Sequence, residues 1–269
     1  MRCPCLSAAL LVALFLFSFI GPLLYTASPY ELHPEALLMP PSGEYPLGTD
    51  RLGRDLLARL MQGGRVSLVI GVGSALIASM IGLIVGITAG YFRGRVDKVF
   101  VVVVDLFLTF PTFFLLLALV SYIEASIWVL IFVISVTGWM TMGRMIRAES
   151  FSIGEKPFIK ILKIGGVSTP KILFKYFAPM LAPIFFISFT FGVGGAILSE
   201  SALSFLGLGI SPPQMSWGSL ISEGKEVMQI AWWISLFPGL MIFLVTFSLM
   251  QLSDYLQTKT NRKEVLGGA

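Results

Sequence analysis

Asp105 is the residue whose type and position most suggest chemistry, because it places a carboxylate inside the apolar segment 99–122. An ionisable group at membrane depth is costly unless it is paired or hydrated, so it is a functional candidate. Lys98, Arg144 or Arg147 could neutralise it, and such a structural pairing is the favoured interpretation. A proton or ion relay is the alternative, but the apolar segments supply no accompanying series of Asp, Glu and His.

Motifs for catalysis and for nucleotide or metal binding are absent from the sequence. A P-loop ends in Gly-Lys-Ser or Gly-Lys-Thr, whereas Gly224-Lys225-Glu226 lacks the hydroxyl. Neither a His-Glu-x-x-His motif nor a nucleophile elbow occurs. His33 is the only histidine, and one imidazole makes no metal site. We therefore expect a surface role for His33, and no catalytic residue, metal or cofactor on this chain.

Composition indicates an integral membrane protein. Of the 269 residues, 56% are hydrophobic and 13% are charged, and the mean hydropathy is +0.87. A soluble domain carries about 25% charged residues. The basic residues lie mostly in short segments beside apolar runs, so membrane lipid and not nucleic acid is the expected partner. Cys3 and Cys5 are too few and too close for a disulfide framework.

Six apolar runs are long enough to cross a bilayer core of about 30 Å, which takes about 20 helical residues. They occupy residues 6–25, 66–92, 99–122, 127–145, 177–198 and 231–252. The first run could be a signal peptide, but it is longer than the usual apolar region of about 7 to 15 residues, so retention is favoured. Pro111 is expected to kink the third run. The sequence predicts an all-α integral membrane protein with six transmembrane helices.

Basic residues predict the orientation of these helices. The loops after the second and fourth runs, together with the two chain ends, hold most of the Lys and Arg residues, which places them in the cytoplasm. The outer segment 28–65 is an exception, because it contains four arginines at positions 51, 54, 59 and 65. Its apolar spacing predicts an interfacial helix before the second span, with one face formed by Leu52, Leu56, Leu57 and Leu60.

Small residues recur every four positions along the second run. The ladder consists of Ser74, Ala78, Gly82, Gly86 and Gly90. Such a strip lets two helix backbones approach closely within the membrane. Packing within this chain is the favoured interpretation, and a seam against a second membrane subunit is the alternative.

Two segments between the apolar runs have sequence patterns that predict folded structure outside the membrane. The first, at 155–179, consists of a short basic amphipathic stretch, the pair Gly165-Gly166 and a re-entry into apolar sequence marked by Pro179. It could lie on anionic lipid or present a docking surface in the cytoplasm. The second, at 199–228, combines an apolar run with glycines, a double proline and Trp217, which predicts a folded cap on the outer side.

An ordered series of motifs resembles the C-type subunit of the dipeptide, oligopeptide and nickel ABC importer permeases. In chain order the motifs are Pro46-Leu-Gly-Thr-Asp-Arg-Leu-Gly-Arg-Asp55, Arg65-Val-Ser-Leu68, Ala89-Gly-Tyr-Phe-Arg-Gly94, Phe110-Pro111, Leu203-Ser-Phe-Leu-Gly-Leu-Gly209, Pro212-Pro213, Trp217-Gly218, Ser222-Glu-Gly-Lys225 and Phe237-Pro-Gly-Leu240. The resemblance covers nearly the whole chain from about residue 45 to residue 254. It implies the type I importer permease fold in a bacterial inner membrane, with both termini cytoplasmic.

The resemblance also implies domain boundaries and functional residues within the chain. Residues 1–65 would form the first helix and an outer segment, 66–258 the permease domain, and 259–269 a cytoplasmic tail. The coupling loop at 150–176 would be gripped by an ATPase through Glu155, Phe158, Lys160, Ile161, Leu162, Gly165 and Gly166, with Pro179 closing the motif. Residues of the translocation path or outer cap would be Ser199, Glu200, Phe205 and Trp217.

One part of the coupling loop departs from the family pattern. The family usually carries Glu-Ala-Ala where this chain has Lys160-Ile161-Leu162. The inverted charge predicts a complementary change in the ATPase groove that receives the loop.

Partners and cargo follow from the resemblance alone. It implies a second homologous permease subunit, two ATPase subunits that bind ATP and Mg²⁺, and a periplasmic or lipid-anchored substrate-binding protein. Peptides are the expected cargo, and nickel or a nickel chelate is the alternative. An ion-coupled carrier and an intramembrane enzyme are the less favoured alternatives.

Overall fold

The structure is a computed structural model that describes residues 4–267, with side-chain surroundings for residues 5–260. All regular elements in that range are helices, apart from one isolated β-bridge between Thr49 and Asp55. Helices and one π-helical turn follow in the order α1 Pro4–Phe19, α2 Gly21–Leu24, α3 Leu56–Phe92, α4 Gly94–Thr109, α5 Thr112–Val120, α6 Ile127–Glu155, α7 Pro157–Ile164, α8 Thr169–Ile172, the π-turn Leu173–Phe177, α9 Ala178–Phe205, α10 Trp217–Lys225 and α11 Trp233–Gly267. Arg2 and Cys3 lie outside the described residues.

Four helices are long and apolar enough to cross a membrane, namely α3, α6, the continuous helix Thr169–Phe205 and α11 over Trp233–Thr260. The bent pair α4 and α5 makes a fifth candidate, and the apolar helix Cys5–Phe19 is shorter than the others. The all-helical membrane architecture is confirmed. The count of six spans is not reached by length and composition within the described residues, so it stays a prediction.

The third predicted span is broken, not merely kinked, at Phe110 and Pro111. Phe110 has an extended backbone with φ −88° and ψ 135°, and Pro111 has no N–H to donate to the preceding turn. The helices on either side, α4 and α5, consequently meet at 80°.

The segment 28–65 does not form the predicted interfacial helix. The residues between α2 and α3 carry no helix, and α3 begins at Leu56 as a direct extension of the second span. Asp50 accepts a hydrogen bond from the backbone N–H of Leu52 at 2.8 Å, which fixes a turn. Asp55 then caps the first turn of α3. Local bonds from aspartate side chains to the backbone compete with helix formation, and hydrophobic spacing alone does not reveal them.

The centre of the fold is the long contact between α3 and α6. Gly82, Gly86 and Gly90 all face α6 across this seam. A Cβ at Gly86 would lie 2.7 Å from the carbonyl oxygen of Gly143, and one at Gly90 would lie 2.5 Å from the Cβ of Ser150. These three ladder positions therefore contact the same chain, and the helices approach each other so closely because side chains are missing there.

The remaining helices surround this pair. α9 packs against α3, α6 and α11, while α1 packs against α11 and α3. The hydroxyl of Ser7 in α1 donates to Gln251 in α11 at 3.1 Å. α3 runs through the domain boundary drawn at residue 65, and α11 runs through the one drawn at residue 258. Side chains of the tail beyond residue 260 lie outside the described part of the chain.

Candidate coupling loop and outer cap

The predicted amphipathic stretch is the helix α7, which follows α6 after a break at Lys156. Pro157 occupies its first position, where no intrahelical N–H bond is needed. Ile159 is fully buried in a cluster with Ile153, Phe177 and Leu181, whereas Ile161 and Ile164 on the other side are 68% and 87% exposed. The helix thus has one apolar edge fixed to its own chain and a second apolar edge that is free.

Gly165 and Gly166 end α7. The N–H of Gly165 donates to the carbonyl of Ile161 at 2.8 Å, and that of Val167 donates to the carbonyl of Leu162 at 3.1 Å. Gly166 has φ +72°, with nothing within 4 Å of the position that a Cβ would take. Glycine is therefore required here for its backbone conformation and not for lack of space.

The other residues predicted for ATPase coupling lie on two sides of this loop. Phe158, in the first turn of α7, is half-exposed with its ring 6.2 Å from that of Tyr176. Pro179 is the second residue of α9 and lies beyond α8 and the π-turn. Its ring is exposed at the start of the long helix. Pro179 therefore marks the return of the chain to the membrane and is not part of α7.

Three charged residues of the predicted coupling loop, Glu155, Lys160 and Lys163, contact their own chain. Lys160 Nζ lies 2.7 Å from Oε2 of Glu155, and Arg93 donates to Oε1 of the same carboxylate. Lys163 Nζ lies 4.2 Å from the centre of the Tyr91 ring, in the geometry of a cation–π contact. Sequence reasoning missed Arg93, because it lies 62 positions from Glu155.

Asp105 pairs with Arg144, and both side chains are about half exposed. Arg147 pairs with Asp97 instead, with Nη2 donating to Oδ2 at 2.8 Å. The structure thus brings Asp105 to one of the three cations that the sequence offered, on the outside of the helix bundle and not in its centre.

In the predicted outer cap, Glu200 is fully buried near the end of α9. Its Oε1 accepts hydrogen bonds from the hydroxyls of Ser204 at 2.7 Å and Ser216 at 2.6 Å, and its Oε2 accepts one from Ser67 at 3.4 Å. These serines come from α9, the α10 cap and α3. Glu200 therefore joins three elements through hydroxyl groups.

Trp217 begins α10 and is fully buried. Its indole Nε1 donates to the carbonyl of Leu60 at 2.9 Å, and its backbone N–H donates to the hydroxyl of Ser67 at 3.0 Å. Phe205 is 40% exposed and lies under Lys225, whose Nζ is 4.6 Å from the ring centre. Trp217 thus anchors the cap on α3, while Phe205 lies at its surface.

Three of the four arginines in the predicted outer segment are held in ion pairs, whereas Arg65 donates to the backbone carbonyls of Ser18 and Phe19 at 2.9 Å. Arg59 is 1% exposed, and it donates to Asp50 at 2.7 Å and to both carboxylate oxygens of Glu223 at 2.8 and 2.9 Å. Arg54 contacts the same two acids, and Arg51 pairs with a neighbouring glutamate in α10. Burial raises the pKa of Glu223 to about 7, and the charge of Arg54 acts in the opposite sense.

An open groove of about 480 Å³ lies between α3, α5, α6, α9 and α11, and Ser199 is one of its lining residues. Hydroxyl-bearing residues recur along its walls, among them Ser74, Thr137 and Thr141. Asp254 lies at the end formed by α11. The lining of the groove is mostly apolar, with hydroxyl groups and the Asp254 carboxyl group at a few positions.

His33 lies at the surface of the outer segment, with Nδ1 3.4 Å from a carboxylate oxygen of Glu35. Among the residues described, no group of three or more His, Cys, Asp or Glu side chains is placed to hold a metal ion.

Residues 62–262 match the family described as the inner membrane component of binding-protein-dependent transport systems. The chain belongs to this family. The permease is 38% identical over 241 residues to the oligopeptide transport system permease protein OppC of Mycobacterium tuberculosis (strain ATCC 25618 / H37Rv), with 89% of this chain and 83% of that protein covered.

Two further relatives have the same character. The permease is 34% identical to the dipeptide transport system permease protein DppC of Bacillus subtilis (strain 168), over 95% of this chain and 81% of that protein. It is also 34% identical to OppC of Escherichia coli (strain K12), over 96% of this chain and 86% of that protein. The resemblance to this group of permeases is confirmed.

Among solved structures, the permease is similar to a chain of the inward-facing MetNI methionine ABC transporter. The TM-score is 0.58, the sequence identity is 15%, and the match covers 73% of this chain and 95% of that chain. At this identity the likeness shows the fold alone, which is that of an ABC importer permease.

Proposed function

We propose that this permease is one of two membrane subunits of an ABC importer that moves dipeptides or oligopeptides into a bacterial cell. Peptides are favoured over nickel because the similar proteins are named for oligopeptide and dipeptide transport. A periplasmic or lipid-anchored binding protein would deliver the peptide to the outer cap. Two separate ATPase subunits would supply the energy, since this sequence contains no P-loop.

The observation that carries the proposal is the free apolar edge of α7. Ile161 and Ile164 are exposed on a short helix outside the candidate spans, and Ile159 on the opposite side fixes that helix to the bundle. Exposed apolar side chains grouped in this way are typical of a protein docking surface. An ATPase subunit is the proposed partner for this edge.

The orientation rests on charge. The turn between α3 and α4 and the loop around α7 are rich in Lys and Arg, which favours the cytoplasm for both. The paired arginines between α2 and α3 are compatible with the outer side, because buried and half-buried carboxylates neutralise them. Both chain termini are then cytoplasmic and the membrane is the inner one.

The second permease subunit is supported by polar groups on the spanning surface. The Asp105–Arg144 pair is half-exposed on that surface, and Asp254 and Thr141 are exposed at the groove. Lipid is a poor neighbour for such groups. We therefore assign this face to the second subunit and to the substrate path between the two. Closure of the ATPases would rock the subunits between inward and outward access.

The first test is co-purification of the tagged chain from membranes in mild detergent, with mass spectrometry of its partners. We expect a second permease and ATPases with the wild type, and selective loss of the ATPases from Ile164→Asp and Gly166→Asp. Tyr122→Asp is the matched control, since Tyr122 is 90% exposed beyond the far end of α5. Retention of the ATPases by both α7-loop variants would move the docking site elsewhere, and a wild type that purifies alone would remove the importer proposal.

A further inference from the structure

We propose that Arg93, Glu155 and Lys160 form a clamp that fastens α7 to the turn between α3 and α4. Movement of α7 would then pass directly to two membrane helices besides α6. The inference rests on the proposed function for its consequence in transport, but the clamp itself is a property of this chain alone. We call these three residues the coupling clamp.

Glu155 is the centre of the coupling clamp. It is the last residue of α6 and binds Arg93 through Oε1 and Lys160 through Oε2. Arg93 Nη2 also donates to the carbonyl oxygen of Phe151 at 3.3 Å, and its guanidinium carbon lies 4.6 Å from the centre of the Phe151 ring. The α3–α4 turn, the end of α6 and α7 are thus joined at one point.

The backbone of Arg93 is evidence that the side chain is needed there. Its φ of 57° and ψ of −159° fall in a region that essentially only glycine occupies. Such a residue persists only where its surroundings hold it, and strained positions of this kind cluster at functional sites. Glycine would take this conformation without strain, so the contacts of the guanidinium are the reason we find for arginine.

A second contact holds the far half of α7. Lys163 lies over the ring of Tyr91, and that ring meets Phe177 edge-on with centroids 5.3 Å apart. Tyr91 lies in the last turn of α3, two positions before Arg93. Both halves of α7 are therefore linked to the same end of α3, Lys160 through the Glu155 carboxylate and Lys163 through the Tyr91 ring, so a displacement of α7 would pass to that end.

The clamp changes the role expected for Lys160 in binding the ATPase. Its positive charge stands where the resemblance implies a glutamate, which predicts a complementary groove in the ATPase. In this chain Lys160 is already paired with the Glu155 carboxylate, which it shares with Arg93. The contact with the ATPase is then left to the apolar edge formed by Ile161 and Ile164.

The test compares Arg93→Gly with wild type in the purified complex of this permease and its partner subunits. Hydrogen–deuterium exchange of the α7 amides reports the clamp, and uptake of the tripeptide Ala-Ala-Ala per ATP hydrolysed reports coupling in proteoliposomes with the binding protein. Arg95→Ala is the matched control, because it removes a charge from the same turn and Arg95 makes no side-chain hydrogen bond or ion pair within the described residues. Glu155→Gln is a second variant, which removes the negative charge that pairs with both Arg93 and Lys160.

We expect α7 to exchange about two- to fivefold faster in Arg93→Gly and Glu155→Gln, the factor that corresponds to losing an exposed ion pair. Peptide uptake per ATP should fall by a similar factor while the ATPases still co-purify. The melting temperature of Arg93→Gly should be unchanged or higher, because the strain is relieved. In the double variant Arg93→Gly with Glu155→Gln, amide exchange and uptake per ATP should differ little from their values in either single variant, because both substitutions break the same contact.

The clamp would be refuted if the α7 amides of Arg93→Gly exchanged at the wild-type rate. It would also be refuted if Arg93→Gly took up as much peptide per ATP as the wild type. Loss of the ATPases from Arg93→Gly would also overturn it, by making Arg93 a docking contact. Absence of ATP-dependent uptake in the wild type would instead refute the proposed function, and the exchange measurement would still decide whether the clamp exists.

Discussion

At the residue scale, the buried polar groups of the outer cap show how a carboxyl group can serve as a structural centre. Glu200 accepts hydrogen bonds from three serine hydroxyls. Ser216 is the key one, since its hydroxyl also accepts from the N–H of Ser219 and thereby caps α10. A single hydroxyl thus links the start of the cap helix to α9.

Ser216→Ala should therefore destabilise the cap. Loss of the helix cap costs about 1 kcal/mol, and removal of one donor from a buried carboxyl group costs about 1–3 kcal/mol. We expect a lower melting temperature in detergent, measured by tryptophan fluorescence, which Trp217 next to the site makes informative. Ser211→Ala, at an exposed position in the same cap, should leave the melting temperature unchanged, and an equal effect of both variants would contradict this assignment.

At the element scale, the seam between α3 and α6 depends on missing side chains. Gly86 lies against the backbone of Gly143 and the side chain of Ile146. Because backbone atoms cannot move aside as a flexible side chain can, even a methyl group must separate the two helices. The seam is the most extensive helix contact in the described chain. Separation of the helices at one point should therefore weaken their packing over several turns.

Gly86→Ala should lower stability by about 1–3 kcal/mol, the usual cost of overpacking a tight site. The matched control is Gly195→Ala in α9, where nothing lies within 4 Å of an added Cβ. That change should be neutral or stabilise the helix by up to about 1 kcal/mol. Thermal unfolding of the two purified variants tests this prediction. A higher melting temperature for Gly86→Ala than for the wild type would show that α3 and α6 leave room for a methyl group at this position.

At the scale of the whole molecule, the two ends of the bundle are each fastened by charges that are far apart in the chain. On the proposed cytoplasmic side the coupling clamp joins α3, α6 and α7. On the proposed outer side Arg59 of α3 joins the Asp50 turn to Glu223 of α10. α3 takes part in both, so we expect it to carry rigid-body motion from one end to the other.

Arg59→Ala should be strongly destabilising, because it removes the fully buried cation that Asp50 and Glu223 share and leaves the partly exposed Arg54 beside both carboxylates. Removal of one member of a buried ion pair costs about 3–5 kcal/mol. Arg51→Ala is the control, since the Arg51–Glu226 pair is exposed and such pairs contribute about 0–1 kcal/mol. Expression level and melting temperature in detergent should separate the two variants clearly, and equal losses would mean that burial does not distinguish the two sites.

The sequence by itself determined the membrane class, the helical architecture, the family and the position of the short amphipathic helix α7. These follow from long apolar runs and from motifs whose residues are close together in the chain, such as Gly165-Gly166. Hydropathy also located the third span, but its break at Phe110 and Pro111 is sharper than a kink. The predicted outer helix failed, since hydrogen bonds from Asp50 and Asp55 set the start of α3.

Only the tertiary structure decided which charges meet. Arg93 and Glu155 are 62 positions apart, and Arg59 and Glu223 are 164 apart. No periodic pattern relates such residues, because their pairing depends on how the helices stack and where the chain turns back. The strained backbone of Arg93 is likewise invisible in a sequence, since φ and ψ are fixed by the surrounding contacts. The physical reason is the same in each case: hydropathy reports where a segment lies, whereas specific polar contacts depend on the three-dimensional arrangement of distant segments.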